Sequence, residues 1–287
     1  MKEYLGSLYL IAAASIWGGM YVVSKQVLAV IEPLELVWLR YVVALAALTV
    51  MGVTTGQSWK VHRRDVPLIL LIGLIGYCIS IWAQFAGTQL SSAQMGAVIT
   101  SATPAFMVVF ARWLLNERIT VRKAAAVALA TAGVLLIVGG GDGSGSFQLG
   151  GAVLVVAALT WALMSVLVKR VPSGYSALVV TTYGILTAAL VMTPFVLGRN
   201  ELVRLASDSL TVWPGLLYLG IVSTAGAFYF WNKGLQLVDA TRGGLYFFFQ
   251  PLVGTLLGWL FLGEQVGWTF WLGAGGILGG VLLVIRE

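Results

Sequence analysis

Charged residues are scarce in this chain. Asp, Glu, Lys and Arg make up 10% of its 287 residues, and hydrophobic residues make up 59%. Because a soluble domain typically carries about 25% charged residues, this composition indicates that most of the surface meets lipid. The net charge of +6 does not indicate nucleic-acid binding, because the basic residues lie in short runs between apolar segments. We expect membrane lipid, and no nucleic acid, as a partner.

Cysteine and histidine are nearly absent. The chain has one of each, Cys78 in an apolar segment and His62 in the basic loop WKVHRRD. One cysteine excludes a disulfide within the chain, and one Cys with one His makes neither a usual zinc site nor a Cys/His nucleophile pair. We therefore expect no metal, no cofactor and no catalytic residue, and we predict that the chain is not an enzyme.

Acidic residues are absent from the centres of the long apolar segments. Proton-driven transporters commonly carry the proton on a carboxylate inside the membrane, and cation channels use acidic rings. This absence argues against a cation channel and favours facilitated diffusion, exchange or a less direct form of coupling.

Long apolar segments fill most of the chain. A spanning helix needs roughly 20 apolar residues, which predicts ten spans at about 5–29, 34–55, 66–88, 93–115, 121–140, 150–169, 175–197, 213–236, 240–262 and 267–285. Lys and Arg concentrate in the connections on the N-terminal side, and the opposite side holds chiefly Arg199 and Arg204. This bias predicts a multi-pass protein of the cytoplasmic membrane with both termini in the cytoplasm.

Two apolar segments repeat one pattern, a proline followed thirteen residues later by a lone glutamate. The first contains Pro104 and Glu117, and the second contains Pro251 and Glu264, at an offset of 147 residues. A duplicated broken helix of this kind is typical of membrane transporters. It divides the chain into two copies.

The two copies are predicted to be residues 1–141 and 142–287, with five spans each. Five is an odd number, so the second copy lies inverted in the membrane. The loop after Glu117 is basic, whereas no Lys or Arg follows Glu264 before Arg286. We therefore predict an all-α membrane protein of ten transmembrane helices, built from two inverted five-helix repeats with a substrate site between them near the midplane.

Several motifs carry a family resemblance. They are SIWGGMYVVSK and LTWALMSVLVK, LRYVVALAAL with Arg40, the duplicated Pro–x12–Glu helices, and the terminal runs TAGVLLIV and LGGVLLVI. In this order they resemble the EamA-type branch of the drug/metabolite transporter superfamily over nearly the whole chain. The resemblance implies ten helices, a central cavity and transport of small metabolites, often export of amino acids or toxic compounds. The second half departs from the pattern, because residues 176–190 hold no basic residue.

Polar and aromatic residues near the centres of the predicted helices are the candidates for a substrate cavity. They share helical faces or matched positions in the two copies, and they are Trp17, Tyr21, Tyr77, Gln84, Thr103, Trp161, Ser165, Thr224, Trp231, Tyr246 and Gln250. A cavity with these walls is neutral and partly aromatic. It suits a zwitterionic or uncharged amphipathic solute, such as an amino acid with an apolar side chain.

The two prolines remove backbone donors inside apolar helices. Pro104 and Pro251 are therefore candidate hinges, with a static kink as the alternative. Glu117 and Glu264 are expected to be structural caps at the starts of the fifth and tenth helices, or partners in ion pairs at a gate, rather than proton carriers.

Arg40 lies inside the second predicted helix, where a charge is costly without a partner. Two interpretations are open: Arg40 binds a substrate carboxylate, or its side chain snorkels outward toward Glu32 or Glu35. Snorkelling is the preferred expectation.

These features together predict a secondary transporter that exports small organic metabolites, most simply amino acids or related solutes, by alternating access. The alternatives are an exporter of drugs or toxic compounds, an exporter of nucleosides or sugars, and an uncoupled exchanger. A membrane-embedded enzyme would need a nucleophile–base pair or paired carboxylates inside the membrane, which the sequence does not offer. A monomer is expected, and a homodimer through small residues of the last helix is the alternative.

Overall fold

The computed structural model describes residues 2–28, 30–90, 96, 99–100, 102–138, 145–197, 209–262 and 268–285. These described residues form helices and turns, with no β-strand among them. We label the helical stretches α1 (Lys2–Val27), α2 (Pro33–Thr54), α3 (Val66–Leu90), α4 (Thr103–Leu115), α5 (Val121–Val138), α6 (Gly145–Val168), α7 (Ala177–Val196), α8 (209–237), α9 (240–262) and α10 (Trp268–Ile285).

Five of the described helices are long and apolar enough to cross a membrane, namely α2, α3, α6, α7 and α8. Only 39% to 56% of the residues in their most apolar windows are buried inside the bundle. The outward-facing residues are also apolar, as shown by Val53, Leu190 and Phe195, each exposed by more than 60%. Large apolar side chains exposed in this number fit a lipid environment, so the chain is a helical membrane protein.

The fourth helix differs from its prediction. The sequence predicts one stretch over 93–115 with Pro104 near its middle, but α4 begins at Thr103 and holds Pro104 in its first turn. Proline is favoured there because the first-turn amide has no partner within the helix. Residues 91–95, 97–98 and 101 lie outside the described part.

Three helices contain irregular turns that the sequence does not predict. π-type turns occupy Gly73–Ser80 in α3 and Tyr218–Gly226 in α8. A 3₁₀ turn at Tyr246–Phe248 interrupts α9 immediately before Phe249–Leu262, the segment that contains Pro251. Such turns are frequent at functional sites within helices.

Close helix contacts recur at matched positions of the two halves. A Cβ atom added at Gly234 in α8 would lie 2.9 Å from the carbonyl oxygen of Gly6 in α1. In the same way, a Cβ atom at Gly87 in α3 would lie 2.9 Å from the carbonyl oxygen of Gly150 in α6. The contact of α8 with α1 therefore has a counterpart in the contact of α3 with α6.

A second pair of contacts follows the same rule. A Cβ atom at Gly220 in α8 would lie 3.1 Å from the carbonyl oxygen of Arg40 in α2, and one at Gly73 in α3 would lie 2.6 Å from that of Gly184 in α7. Gly220 follows Gly73 by 147 positions, and Gly184 follows Arg40 by 144. The duplicated sequence thus pairs equivalent helices around the centre of the bundle.

Two glycines of α10, Gly276 and Gly279, pack within the chain, whereas a Cβ atom at Gly275 would meet nothing within 4 Å. A Cβ atom at Gly276 would lie 3.4 Å from Cα of Gly133 in α5, and one at Gly279 would lie 3.5 Å from Leu129. Glycine lets the two helices approach closely here.

Candidate functional site

A cavity lies at the centre of the bundle, where helices of both halves meet. It offers about 20 Å³ to the centre of a water molecule, only slightly more than one water needs. Its walls come from α1, α2, α3 and the start of α4 on one side and from α6, α8 and α9 on the other. The lining residues are Trp17, Met20, Arg40, Ser80, Ile81, Gln84, Thr100, Thr103, Ala157, Ala158, Trp161, Phe228, Phe247 and Gln250.

Four of these side chains form an aromatic wall, which we define as Trp17, Trp161, Phe228 and Phe247. The Trp17 ring lies 5.3 Å from Trp161, 5.7 Å from Phe228 and 5.8 Å from Phe247, measured between ring centroids. Edge and tilted contacts at these distances are favourable for aromatic rings. The Trp17 indole N–H also donates to the backbone carbonyl of Ser223 at 3.0 Å. This bond holds a residue of α1 against α8.

The hydroxyl of Tyr21 joins three helices beside the cavity. It accepts hydrogen bonds from Nε2 of Gln84 in α3 and Nε2 of Gln250 in α9, each at 2.8 Å. It also lies 3.3 Å from Oγ1 of Thr100, which in turn donates to the Gly96 carbonyl at 2.6 Å. The two glutamines are held by one hydroxyl, so motion of α1 is coupled to both.

Three polar atoms in the cavity wall lack a hydrogen-bond partner among the described residues. They are Oγ1 of Thr103, Nε1 of Trp161 and Oε1 of Gln250, and each belongs to a residue that is at most 5% exposed. Buried polar groups are satisfied in the great majority of cases, so several exceptions in one place call for an explanation. Together they offer a hydroxyl, a donor and an acceptor to a ligand.

Arg40 is buried and lines the same cavity. Its residue is 0% exposed, and its donors reach Thr224 Oγ1 at 2.6 Å, Ser223 Oγ at 3.4 Å and Met20 Sδ at 3.6 Å. Thr224 can accept because its own hydroxyl donates to the Leu219 carbonyl, five residues back in the π-type segment of α8. The guanidinium also lies 5.4 Å from the Phe85 ring centroid, a distance suited to a cation–π contact.

The expectation that Arg40 snorkels outward is therefore wrong. Val37 and Ala44, which are 0% exposed, place this face of α2 inside the bundle. Within the described part of the chain, no ion pair joins Arg40 to Glu32, Glu35 or another carboxylate. The cavity predicted to be neutral thus contains a cation.

Four predicted cavity residues form a second layer behind the lining. The Trp231 indole donates to Ser165 Oγ at 3.0 Å, the Tyr77 hydroxyl accepts from Asn232 Nδ2 at 2.7 Å, and Thr224 holds Arg40. All four residues are 0% exposed. Tyr77 stacks on Phe228 with centroids 4.9 Å apart and therefore supports the aromatic wall. This layer positions the lining side chains without belonging to the cavity surface.

Tyr246 lies elsewhere. Its hydroxyl donates to Ser7 Oγ at 2.7 Å near the start of α1, and it does not belong to the cavity lining. The 3₁₀ turn, which begins at this residue, turns the following residue Phe247 toward the cavity instead. Helical spacing alone predicts neither side chain's direction.

The cavity also contains residues that the candidate set lacks. They are Met20, Arg40, Ser80, Ile81, Thr100, Ala157, Ala158, Phe228 and Phe247. Ser80 precedes the lining residue Gln84 by four positions, and Thr100 precedes Thr103 by three. Extending the set of candidates by one helical turn therefore adds both residues. The sequence signal that could have placed Arg40 in the cavity was its charge inside a predicted transmembrane span.

Glu117 forms a link between the two halves, which we call the Glu117 cap. Oε1 accepts from the backbone N–H of Ala240 at 2.9 Å, and Oε2 accepts from the N–H and hydroxyl of Thr241 at 3.1 Å and 2.8 Å. The prediction of a cap on the fifth helix is corrected, because Thr120 Oγ1 accepts from the Lys123 N–H of α5 instead. Glu117 caps the start of α9, where a carboxylate satisfies free amides. Glu264 lies outside the described residues.

Other polar contacts surround the Glu117 cap. Lys169 Nζ donates to the carbonyls of Leu235 and Val238 at 2.9 Å and 2.5 Å, which closes the C-terminal end of α8. Burial lowers the pKa of Lys169, and the charges of Glu117 and Asp239 oppose this shift. At this end of the bundle, which is predicted to face the cytoplasm, the Glu117 cap joins the two halves, and Lys169 joins helices within the second half.

The fold and the site define a helical membrane protein with a central cavity, lined by polar and aromatic side chains, between two similar halves. A model of the EamA-like transporter family matches residues 4–139 and again residues 148–286. The chain belongs to the EamA-like transporter family, and the resemblance to the EamA-type branch of the drug/metabolite transporter superfamily is confirmed.

Relatives in bacteria and archaea support this assignment. The chain is 24% identical to the uncharacterized transporter YetK of Bacillus subtilis (strain 168), over 99% of this chain and 88% of that protein. It is also 24% identical to an uncharacterized transporter of Archaeoglobus fulgidus, over 100% of both chains. A stretch of 71 residues, 25% of this chain, is 72% identical to 91% of the permease-like protein YdzE of Bacillus subtilis (strain 168).

A solved crystal structure shares the fold. It superposes with a TM-score of 0.78 at 21% identity and covers 98% of this chain and 96% of its own. The names of the relatives describe transporters and permease-like proteins and specify no substrate.

Proposed function

We propose that this chain is a secondary transporter that exports small organic metabolites, amino acids or related amphipathic solutes, across the cytoplasmic membrane. In this proposal ten helices cross the membrane as two inverted repeats, residues 1–141 and 142–287, with both termini in the cytoplasm. The double match to the family model and the paired glycine contacts support the duplication. The distribution of Lys and Arg supports the orientation.

The observation that carries this proposal is the convergence of unpartnered polar atoms in the central cavity. Gln250 Oε1 can accept from an ammonium group, whereas Thr103 and Trp161 can donate to an anion. The aromatic wall provides a surface for an apolar side chain. An amphipathic solute with polar ends would satisfy groups that this cavity leaves without partners.

The size of the cavity supports alternating access. Its roughly 20 Å³ holds about one water, so it must widen to admit an amino acid. Thr103 directly precedes Pro104, and Gln250 directly precedes Pro251. We propose both prolines as hinges, because each lies in the first turn of a helical segment, where bending moves polar lining residues without breaking an intrahelical hydrogen bond. We further propose that a single chain is the functional unit, since Gly276 and Gly279 already pack within it.

Flux measurements in proteoliposomes test the proposal. The purified chain is reconstituted and supplied with a panel of labelled amino acids, nucleosides and drugs, with and without a pH gradient. We expect saturable flux of amino acids. The absence of flux for the whole panel, with folded protein, would refute the transporter proposal, and flux of nucleosides or drugs alone would replace the substrate class.

Matched variants then test the site. We expect Gln84→Ala and Trp161→Ala to raise the half-saturating concentration about tenfold, because each removes one or two contacts from the cavity. Trp113→Ala is the control, since Trp113 is 76% exposed and lies outside the cavity. Wild-type transport in both cavity variants would remove these residues from the site.

A further inference from the structure

Arg40 places a positive charge in the wall of the central cavity. Three of the five N–H donors of the guanidinium have acceptors among the described residues, and all three acceptors are uncharged: a threonine hydroxyl, a serine hydroxyl and a methionine sulfur. The residue is 0% exposed and contributes to the cavity wall. A cation in this position faces a space that a solute can occupy.

An isolated buried charge is strongly unfavourable, because it loses its hydration and gains too little in return. Proteins usually compensate it with an opposite charge and additional hydrogen bonds. Here the described neighbours supply hydroxyls and the rings of Phe85 and Phe228, with ring centroids 5.4 Å and 5.9 Å from the guanidinium carbon. These contacts orient the group but do not neutralise it.

We propose that Arg40 binds a carboxylate of the transported solute, so that the cavity selects carboxylate-bearing solutes over derivatives in which the carboxylate is blocked as an amide or an ester. The inference rests on the proposed transport function and specifies its substrate class. A guanidinium is planar and matches a carboxylate with two parallel N–H···O bonds. The indole N–H of Trp161 and the hydroxyl of Thr103 are further donors in the same wall.

The charge favours a carboxylate over a phosphate ester. Arg40 is the one Lys or Arg in the described lining, and a phosphate dianion would remain only half neutralised beside it. The matched position of the second half, 144 residues later, is Gly184, where a Cβ atom would lie 2.6 Å from the Tyr77 ring. The ring of Tyr77 thus occupies the space that the side chain of a second arginine at position 184 would need. The cavity therefore has a positive charge for one anionic group.

Binding and flux of a solute series test this inference. The series consists of leucine, leucine amide and leucine methyl ester, with inorganic phosphate as a competing anion. Binding to purified protein is followed by tryptophan fluorescence, since Trp17 and Trp161 lie in the cavity wall. Flux is measured in proteoliposomes. We expect wild-type protein to bind leucine about ten- to a hundredfold more tightly than either derivative without a carboxylate, the range for a charge-assisted bidentate pair.

Arg40→Met and Arg40→Lys isolate the guanidinium, with Arg112→Met as the control at an exposed arginine. We expect Arg40→Met to bind leucine and its amide equally and Arg40→Lys to keep a reduced preference, because the ammonium retains charge but not the planar fork. Arg112→Met should keep the wild-type preference. Thermal unfolding verifies that the variants are folded, and Arg40→Lys serves as the test if the methionine variant is not.

The outcomes separate the two proposals. Equal binding of leucine and its amide and ester by wild-type protein, or an undiminished preference in both Arg40 variants, would overturn the carboxylate site while transport stands. Displacement of leucine by phosphate at similar concentration would also overturn it. Flux of none of the solutes in the broad panel would refute transport itself.

Discussion

Replacing Glu117 by alanine removes the Glu117 cap in a single step. The carboxylate accepts three hydrogen bonds from Ala240 and Thr241, at 2.8 to 3.1 Å. Hydrogen bonds to charged groups contribute about 1.5–3 kcal/mol when buried, and loss of a helix cap costs about 0.5–2 kcal/mol. Because Glu117 is half-buried, water replaces part of the loss. We expect Glu117→Ala to destabilise the start of α9 by about 2 kcal/mol, a factor of about 30 in the opening equilibrium.

Hydrogen exchange in lipid nanodiscs measures this opening directly. The amides of Ala240 and Thr241 should exchange about 30-fold faster in Glu117→Ala than in wild-type protein. Glu117→Gln keeps one acceptor oxygen and should show a smaller increase. Glu32→Ala, at an exposed glutamate, is the control for the residue type. Unchanged exchange at both amides in Glu117→Ala would refute the view that this carboxylate holds the two halves together.

Three further variants test the packing around the cavity. Gly184→Ala should lower the melting temperature and reduce the free energy of unfolding by about 1–3 kcal/mol, because its Cβ would lie 2.6 Å from Tyr77. The control is Gly174→Ala, which has open space at its Cβ and should leave the melting temperature nearly unchanged. Equal melting temperatures of the two variants would contradict this prediction. Tyr21→Phe should weaken solute binding about tenfold in a fluorescence titration, because both glutamine amides lose their shared acceptor, and unaltered binding would show that they need no such anchor. Trp17→Phe keeps an aromatic ring but loses the indole bond to α8; it should lower stability by about 1 kcal/mol in a denaturant titration, and an unchanged midpoint would exclude a contribution of that bond.

The positions of the helices follow from the sequence because apolar length is a local property. The spans predicted at 175–197 and 267–285 correspond to Ala177–Val196 and Trp268–Ile285. The start of α4 and the irregular turns of α3, α8 and α9 were not predictable in this way. Those turns depend on which neighbouring helix satisfies the backbone, and hydropathy holds no information about neighbours.

The lining of the cavity was predictable only in part, for a related reason. Helical spacing and the repeat identify Trp17 and Trp161, because matched positions in two similar halves meet the same centre. Spacing cannot decide whether Arg40 turns toward the interior or the surface, because both directions exist for a long side chain. The direction is set by hydroxyls on α8, which lie more than 180 positions away in the chain. The prediction for Tyr246 fails for a local reason, because the 3₁₀ turn that begins at this residue changes the direction of its side chain.

The hydroxyl network at Tyr21 also determines the direction of every proton within it. The Gly96 carbonyl can only accept, so the single proton of the Thr100 hydroxyl points there. Thr100 therefore receives the proton of Tyr21, and Tyr21 must accept from both glutamine amides. The oxygen of Gln250, not its nitrogen, is consequently left to face a solute. The Gly96 carbonyl thus determines, through three successive hydrogen bonds, that the Gln250 side chain presents an acceptor to the cavity. A conformational change that broke one of these bonds would let the Gln250 amide rotate and present a donor instead.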